Sequence, residues 1–296
     1  MRFSALILAI AAIAGLSAPL RSQNWVQPPL EASNSLLLEM GGSRDESATI
    51  GVSGYPHQQS GEFSAFEMMR PAAAQSNAAS VASPSVHIDW REKGAVNPVE
   101  DTGACGSDWA FSAKGAVEGA HFLATGKLFS LSAQQLLDCA RPYGAMGCGG
   151  GLPIDGLHYL EGQGAVASAD YRYTARDGPC RLTGLKPVIN KISGTLSVPI
   201  GDDTNLLSML EKHGPVSVRV EDNWILDYQG ENLSCTSRSR SFISALLVGA
   251  ITRNGEPVWA LKFAMGTSFG AGGYAYISRL RPNECGISDD AIVAVP

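Results

Sequence analysis

The side chains best suited to nucleophilic chemistry stand together in the segment Cys105-Gly106-Ser107-Asp108. A thiol, a hydroxyl or a carboxylate can each act as a nucleophile, but a serine or cysteine needs a neighbouring base to activate it. Histidine is the usual base, and the chain contains five: His57, His87, His121, His158 and His213. Because Gly214 to Pro296 contains no histidine, the second half of the chain offers no imidazole to serve a nucleophile in the first.

The six cysteines lie C-terminal to a predicted targeting segment. Arg2 is followed by an apolar run of 12 residues from Ala5 to Leu16, which is shorter than the ~20 needed to cross a bilayer. We therefore expect residues 1–22 to be a secretory signal peptide. An even number of cysteines in a secreted chain predicts three disulfides, each contributing about 2–4 kcal/mol, although six cysteines allow 15 pairings. The predicted location is the outside of the cell or a lysosomal or vacuolar lumen.

Composition excludes other classes of protein. The chain has 296 residues, a net charge of −6 and a pI of about 5.4, and we expect it to bind no nucleic acid. No later apolar run is long enough to span a membrane.

Residues 23–85 lack cysteine and end in an Ala/Ser/Asn/Pro-rich linker, with one short helix predicted at 64–69. Asn232-Leu233-Ser234 is an N-glycosylation sequon, which by itself is weak evidence for a glycan.

Helical signals fill the part of the chain that follows the linker. Apolar spacing predicts a helix over 107–124, ended by Gly126. Ser132 with Gln135 fits a capping box at the start of a second helix, and Pro153 suits the first position of a third. A fourth helix is predicted from Thr204 to Lys212.

Strand signals follow Gly214. Val216, Val218 and Val220 alternate with polar residues, and two further apolar runs at 243–251 and 258–264 flank Asn254-Gly255, a strong hairpin signal. A last strand is predicted at 274–277. A helical half followed by a β half predicts an α+β protein with two packed lobes.

Several spaced motifs resemble those of papain-like cysteine peptidases of the cathepsin and papain type. They are the segments Asp89 to Val96, Cys105 to Ser112, Leu136 to Cys139, Gly147-Cys148 and Cys285 to Ile287. The resemblance covers residues 86–296, which we take as the peptidase-like domain, with 23–85 as a reduced or atypical pro-region. It implies a helical lobe and an antiparallel β-barrel-like lobe that face each other across a peptide-binding cleft. It also implies the disulfides Cys105–Cys148, Cys139–Cys180 and Cys235–Cys285.

The resemblance also places the chemistry of the family on residues that cannot perform it. The nucleophilic cysteine corresponds to Asp108, since Cys105 and Trp109 fix the register on both sides. The base histidine corresponds to Ile243, the orienting asparagine to Phe263 and the oxyanion glutamine to Thr102. Asp108 is interpreted as a carboxylate that begins a helix, where the dipole favours an anion by about 0.3–1 kcal/mol. The alternative is that it preserves a negative charge where a thiolate would be.

The remaining cleft positions leave two alternatives open. The resemblance places Gly150, Gly151 and Leu152 on the wall that holds a substrate backbone, although the glycines could equally form a tight turn beside a disulfide. Met265 and Phe269 stand where the family carries tryptophans. Together with Ile243 and Phe263, these two side chains would make the β-lobe side more apolar, or fill the cleft and close it.

The leading hypothesis is therefore a secreted, non-catalytic homologue that binds peptides, protease inhibitors or active papain-like relatives. The alternatives are a structural or storage protein and a residual hydrolase with an atypical site. No metal or cofactor is expected. The sequence does not fix the ligand or the oligomeric state.

Overall fold

The computed structural model describes residues 86–235 and 239–296. The signal peptide predicted at 1–22, the pro-region at 23–85 and the short helix at 64–69 lie outside these residues. The described chain has the mixed α+β, papain-like architecture that the sequence predicts, with helices preceding most of a large antiparallel sheet.

The described residues form four α-helices, each within two residues of its predicted start or end. They are α1 (Asp108–Thr125), α2 (Ala133–Cys139), α3 (Pro153–Gln163) and α4 (Asp203–His213). Helix α1 ends at Gly126, whose φ of 72° is left-handed and whose N–H donates to Phe122 O. Short 3₁₀ turns lie at Arg141–Tyr143, Gly147–Gly149 and Glu284–Gly286.

The capping box predicted at α2 is only half formed. Ser132 Oγ accepts from the Gln135 N–H at 3.0 Å, as expected of an N-cap. The Gln135 side chain does not return to the cap. Its amide instead donates to Tyr159 Oη and Gly164 O, and it accepts from Val166 N. Gln135 is almost fully buried, so these partners satisfy an amide that the local motif could not have assigned.

The described residues also contain eight strands, which form one sheet. They are β1 (Ile88–Asp89), β2 (Gly194–Ser197), β3 (Val216–Glu221), β4 (Asn232–Leu233), β5 (Phe242–Arg253), β6 (Glu256–Lys262), β7 (Tyr274–Ser278) and β8 (Ala291–Val295). The order is β2-β8-β3-β5-β6-β7-β4, with β1 paired to β5, and only β4–β7 is parallel. The predicted hairpin is confirmed, since Asn254 (φ 53°) and Gly255 (φ 82°) turn β5 into β6.

Strand β5 contributes to both hydrophobic cores of the domain. Leu246 and Val248 pack in the core that contains α1, α2 and α3, which we call the helical core. Ala245 and Leu247 point the other way, into the β core. Strand β3 is likewise covered on both faces, so its polar Ser217 is buried; the Ser217 hydroxyl is satisfied by Ser112 Oγ at 2.6 Å.

Three disulfides tie the loops to these cores. The bonds are Cys105–Cys148, Cys139–Cys180 and Cys235–Cys285, the pairing that the family resemblance implies. Together they use all six cysteines of the chain, so none is free.

Candidate functional site

Asp108 begins α1 and faces the sheet. Its Oδ2 accepts a hydrogen bond from the backbone N–H of Ser244 in β5 at 2.6 Å. The carboxylate lies where the first-turn N–H groups and the helix dipole stabilise negative charge. It therefore forms a charge-assisted link between the helical part of the domain and the sheet. The residue before its partner is Ile243, the position that the resemblance assigns to a base.

The family positions on the sheet side hold apolar side chains, although Lys262 of β6 lines the same cavity as Asp108. Phe263, which follows β6, is fully buried, and its ring centroid lies 5.2 Å from that of Phe269 and 5.9 Å from that of Trp224. Ile243 and Met265 are partly buried against the same β core. None of these side chains can accept a proton or orient an imidazole.

The space between the two sides is almost filled. A cavity of about 10 Å³ lies between Asp108 at the start of α1 and Phe263 beside the end of β6. Such a volume is at the lower limit for one water molecule. The residues that line this cavity therefore pack closely around Asp108.

Thr102 is fixed by its backbone rather than by its hydroxyl. Its N–H donates to Ala264 O at 2.9 Å, and its carbonyl accepts from Tyr173 Oη at 2.9 Å. Tyr173 Oη also lies 2.6 Å from the hydroxyl of Ser107, which is fully buried. Because burial raises the pKa of Tyr173, the phenol stays protonated at neutral pH and cannot serve Ser107 as a base. Tyr173 carries no sequence motif that would have singled it out.

The glycine wall has structural reasons of its own. Gly150 has φ 110°, and its carbonyl accepts from Met146 N at 2.8 Å in the turn after the Gly147–Gly149 segment. A Cβ on Gly151 would stand 2.9 Å from the Trp109 ring. The turn interpretation is therefore supported at Gly150, and peptide binding at these glycines stays a prediction. The turn requires Gly150, whereas the partly exposed Gly151 makes no backbone hydrogen bond within the described residues. Leu152, next along, is 40% exposed.

A group of buried charges near the cleft was missed by sequence analysis. Lys114 on α1 is 1% exposed, and its Nζ donates to Glu100 at 2.6 Å and Glu118 at 3.1 Å. Burial lowers the pKa of Lys114, but the two carboxylates outweigh it and leave the pKa raised. Burial lowers the pKa of Lys262 on β6, whose Nζ donates to Asn97 O at 2.8 Å. Glu100 and Glu118 balance the charge of Lys114, and the carbonyl of Asn97 satisfies one donor of Lys262, so these contacts have a structural role.

The described histidines lie away from Asp108. His121 lies on α1 with its ring centroid 5.2 Å from that of Phe129, and His158 is exposed on α3. His213 ends α4, and His87 pairs with Glu92 at 3.2 Å. No histidine forms a hydrogen bond with Asp108 in the part of the chain that is described. His57 lies outside it.

The glycosylation candidate Asn232 is part of the sheet. Its amide nitrogen donates to Arg253 O at 3.0 Å and Glu256 Oε2 at 3.2 Å, and its oxygen accepts from Arg253 Nη1. A glycan on this nitrogen would replace at least one of these contacts. Within residues 86–235 and 239–296, no group of three or more His, Cys, Asp or Glu is placed to hold a metal ion, and no helix is long and apolar enough to cross a membrane.

Comparison with known proteins identifies the family. The model of the papain family cysteine proteases matches residues 84–295. This chain belongs to the papain family. It is 41% identical over 209 residues to digestive cysteine proteinase 2 of Homarus americanus, covering 69% of this chain and 64% of that protein. It is 40% identical over 209 residues to cathepsin S of Rattus norvegicus, covering 68% of this chain and 62% of that protein. The chain thus spans just under two thirds of the length of these relatives.

Solved structures of papain-family proteins agree with the fold. A cysteine protease of Carica candamarcensis in complex with E-64 is 34% identical, with a TM-score of 0.65 over 71% of this chain and 97% of that one. Procathepsin L 3 of Tenebrio molitor is also 34% identical, with a TM-score of 0.67 over 73% and 72%. The Homarus americanus relative is named as a proteinase and the Carica candamarcensis protein as a protease.

Proposed function

We propose that this papain-family chain binds peptides, protease inhibitors or active papain-like relatives without cleaving them. One observation carries the proposal: the carboxylate of Asp108 stands at the start of α1, hydrogen-bonded to Ser244 N, with the apolar Ile243 and Phe263 opposite. Thiol proteolysis requires a thiolate, a base that returns the proton and a group that orients the base. The resemblance assigns these three roles to Asp108, Ile243 and Phe263, which carry a carboxylate and two apolar side chains.

The expected loss of turnover is large. Removing one member of a nucleophile–base unit costs on the order of a million-fold in turnover, and removing the others adds little because the unit acts as a whole. No cysteine elsewhere can replace the missing thiol, since all six are in disulfides and only the thiolate is nucleophilic. A nucleophilic Asp108 is disfavoured as well, because its Oδ2 already accepts a hydrogen bond from Ser244 N. Glu100 and Lys262 line the same small cavity, but Glu100 accepts from Lys114 and Lys262 donates to Asn97 O.

Peptide binding is supported by the open backbone beside Gly151. A free N–H and C=O at a cleft wall can pair with an extended peptide in the manner of an added strand. The exposed Leu152 beside them offers an apolar contact for a side chain of that peptide. This mode needs no catalytic group, so it survives the loss of the chemistry.

We further propose that residues 1–22 are a signal peptide, 23–85 a reduced pro-region with a linker, and 86–296 the peptidase-like domain. The destination is the extracellular space or a lysosomal or vacuolar lumen. The support is the apolar run from Ala5 to Leu16 together with the three disulfides, which persist in oxidising compartments.

The test combines a thiol-directed active-site probe, a peptide-turnover assay and a binding assay on the purified domain. The native chain is expected to show no labelling and no turnover, whereas Asp108→Cys, which places a free thiol at the start of α1, is the positive control for labelling. Turnover that disappears in Asp108→Ala would replace the proposal with a residual hydrolase.

Binding is tested with a peptide library, a cystatin-type inhibitor and an active papain-like relative at micromolar concentration. Leu152→Glu should weaken peptide binding, while Leu196→Glu, which alters a leucine of β2 that is 41% exposed, should leave it unchanged. Absence of saturable binding to all three would refute the binding role and favour a structural or storage protein.

A further inference from the structure

A second pocket lies outside the cleft, in the segment that follows α3. It has a volume of about 430 Å³, within the range of small-ligand sites. Its walls include Arg172 and Arg181, with Asp170 at one side, the buried Tyr171 behind and the partly exposed Leu185 as apolar surface. No role in the proposed cleft function involves these residues.

The two arginines of this pocket lack acidic partners. In contrast to Arg91, Arg219 and Arg281, which each pair with a carboxylate, Arg172 and Arg181 form no ion pair within the described residues. Asp170 lines the same pocket without pairing with either. The surrounding stretch 169–191 has five basic and two acidic residues in a chain whose net charge is −6. The pocket is therefore a local concentration of unneutralised guanidinium groups in an acidic protein.

Hydrogen bonds and a disulfide fix the backbone of this pocket to α2. Tyr171 is 4% exposed, and its hydroxyl donates to Asp138 Oδ2 on α2 at 2.6 Å. The same hydroxyl accepts from Arg181 N at 3.2 Å, and the Arg181 guanidinium lies 5.4 Å from the Tyr171 ring centroid. Cys180, the residue before Arg181, is bonded to Cys139 at the end of α2. Anchoring the backbone in this way lowers the ordering cost of binding.

We propose that this pocket binds an acidic peptide segment, with a side-chain carboxylate held by Arg172 and Arg181. Guanidinium groups bind carboxylates through paired, charge-assisted hydrogen bonds. The uncommitted carboxylate of Asp170 accepts an N–H from the peptide backbone, which a simple inorganic anion does not provide. The partly exposed Leu185 receives an apolar side chain beside the acidic one. The ligand class is thus a peptide with an aspartate or glutamate next to an apolar residue.

The experiment measures binding of a fluorescent acidic peptide, acetyl-Gly-Asp-Leu-Gly-amide, to the whole domain by anisotropy. Arg172→Gln and Arg181→Gln should each weaken binding about tenfold, and replacing the peptide Asp by Asn should do the same. Arg176→Gln is the matched control, because Arg176 is exposed in the same stretch but does not line the pocket. Its affinity should match that of the native domain.

Three outcomes would overturn the proposal. One is equal weakening by Arg176→Gln, which would indicate general attraction to a basic surface. Another is unchanged binding in Arg172→Gln, which removes no described contact and so should leave folding intact. The last is displacement of the peptide by inorganic phosphate at concentrations near the peptide Kd, which would make the pocket an oxyanion site. Thermal unfolding of each variant checks that the domain is folded, and the result is independent of whether the cleft binds peptides.

Discussion

The hydrogen bond from Ser244 N to Asp108 should be worth several times an ordinary surface contact. The acceptor is a carboxylate at 2.6 Å, and hydrogen bonds to charged groups contribute about 1.5–3 kcal/mol. The helix start adds about 0.3–1 kcal/mol for the negative charge. Asp108→Ala removes both, so we expect the free energy of unfolding to fall by about 2–4 kcal/mol. Asp108→Asn keeps an acceptor oxygen and should lose only the charge-dependent part.

The assay is equilibrium unfolding in denaturant with the disulfides intact, supported by thermal scans. A domain of this size shifts its Tm by about 2–4 °C per kcal/mol, so Asp108→Ala should lower the Tm by roughly 4–16 °C. The control is Asp227→Ala, which removes an exposed carboxylate and should change stability by less than ~0.5 kcal/mol. If Asp108→Ala were as stable as Asp227→Ala, the carboxylate would not link the helix to the sheet, and the structural argument for a non-catalytic Asp108 would fail.

Three further outcomes are expected. Burial alone would raise the pKa of the Asp89 carboxyl, but the hydrogen bonds and charge of Arg91 outweigh it and hold the pKa below its usual value. The pair therefore stabilises the fold above about pH 4, and the contribution is lost as the pH falls through the folded pKa. Asp89→Asn should flatten this acid loss of stability in denaturation curves recorded at decreasing pH. Gly151→Ala should lower the free energy of unfolding by about 1–3 kcal/mol, because the added Cβ would stand 2.9 Å from the Trp109 ring. In the same denaturation series Gly149→Ala should lower it less, because the nearest atom to its Cβ is 3.6 Å away. Thiol titration of the unfolded, unreduced domain should detect no thiol, and detection of one would mean that a disulfide is missing.

The contact at the helix start also limits where a ligand could bind. Asp108 is hydrogen-bonded to the sheet, and the cavity beside it has a volume of about 10 Å³. Under the proposed function, a peptide is therefore expected to bind at Gly151 and Leu152 rather than beside Asp108.

Several elements were predictable because their signals are local. The helical spacing and the terminal Gly126 predict α1 without any long-range contact. Asn254-Gly255 predicts the β5–β6 hairpin in the same way. Gly126 and Gly255 both adopt the left-handed geometry that their positions require. The family resemblance supplied the disulfide pairing, which six cysteines alone leave open. The absence of histidine after residue 213 is a property of the sequence and needs no coordinates.

Long-range packing decided the rest. Gln135 looks like half of a capping box, but burial beside Tyr159 and Gly164 redirects its amide, because a buried amide must be satisfied by whatever tertiary structure places near it. Tyr173 and Ser107 lie far apart in the chain and meet only when the segment after α3 folds back.

The sequence by itself determined which chemical groups are available: a carboxylate at the start of α1, no imidazole in the β half and no spare thiol. Only the tertiary structure decided that the N–H of Ser244 donates to the Asp108 carboxylate and that side chains nearly fill the space beside Phe263. It also decided that Arg172 and Arg181 line one pocket and form no ion pair with residues 86–235 or 239–296. The physical reason is that residue type fixes what a group can donate, accept or carry as charge. Its partners and its exposure to water depend on segments distant in the chain, which no local pattern specifies.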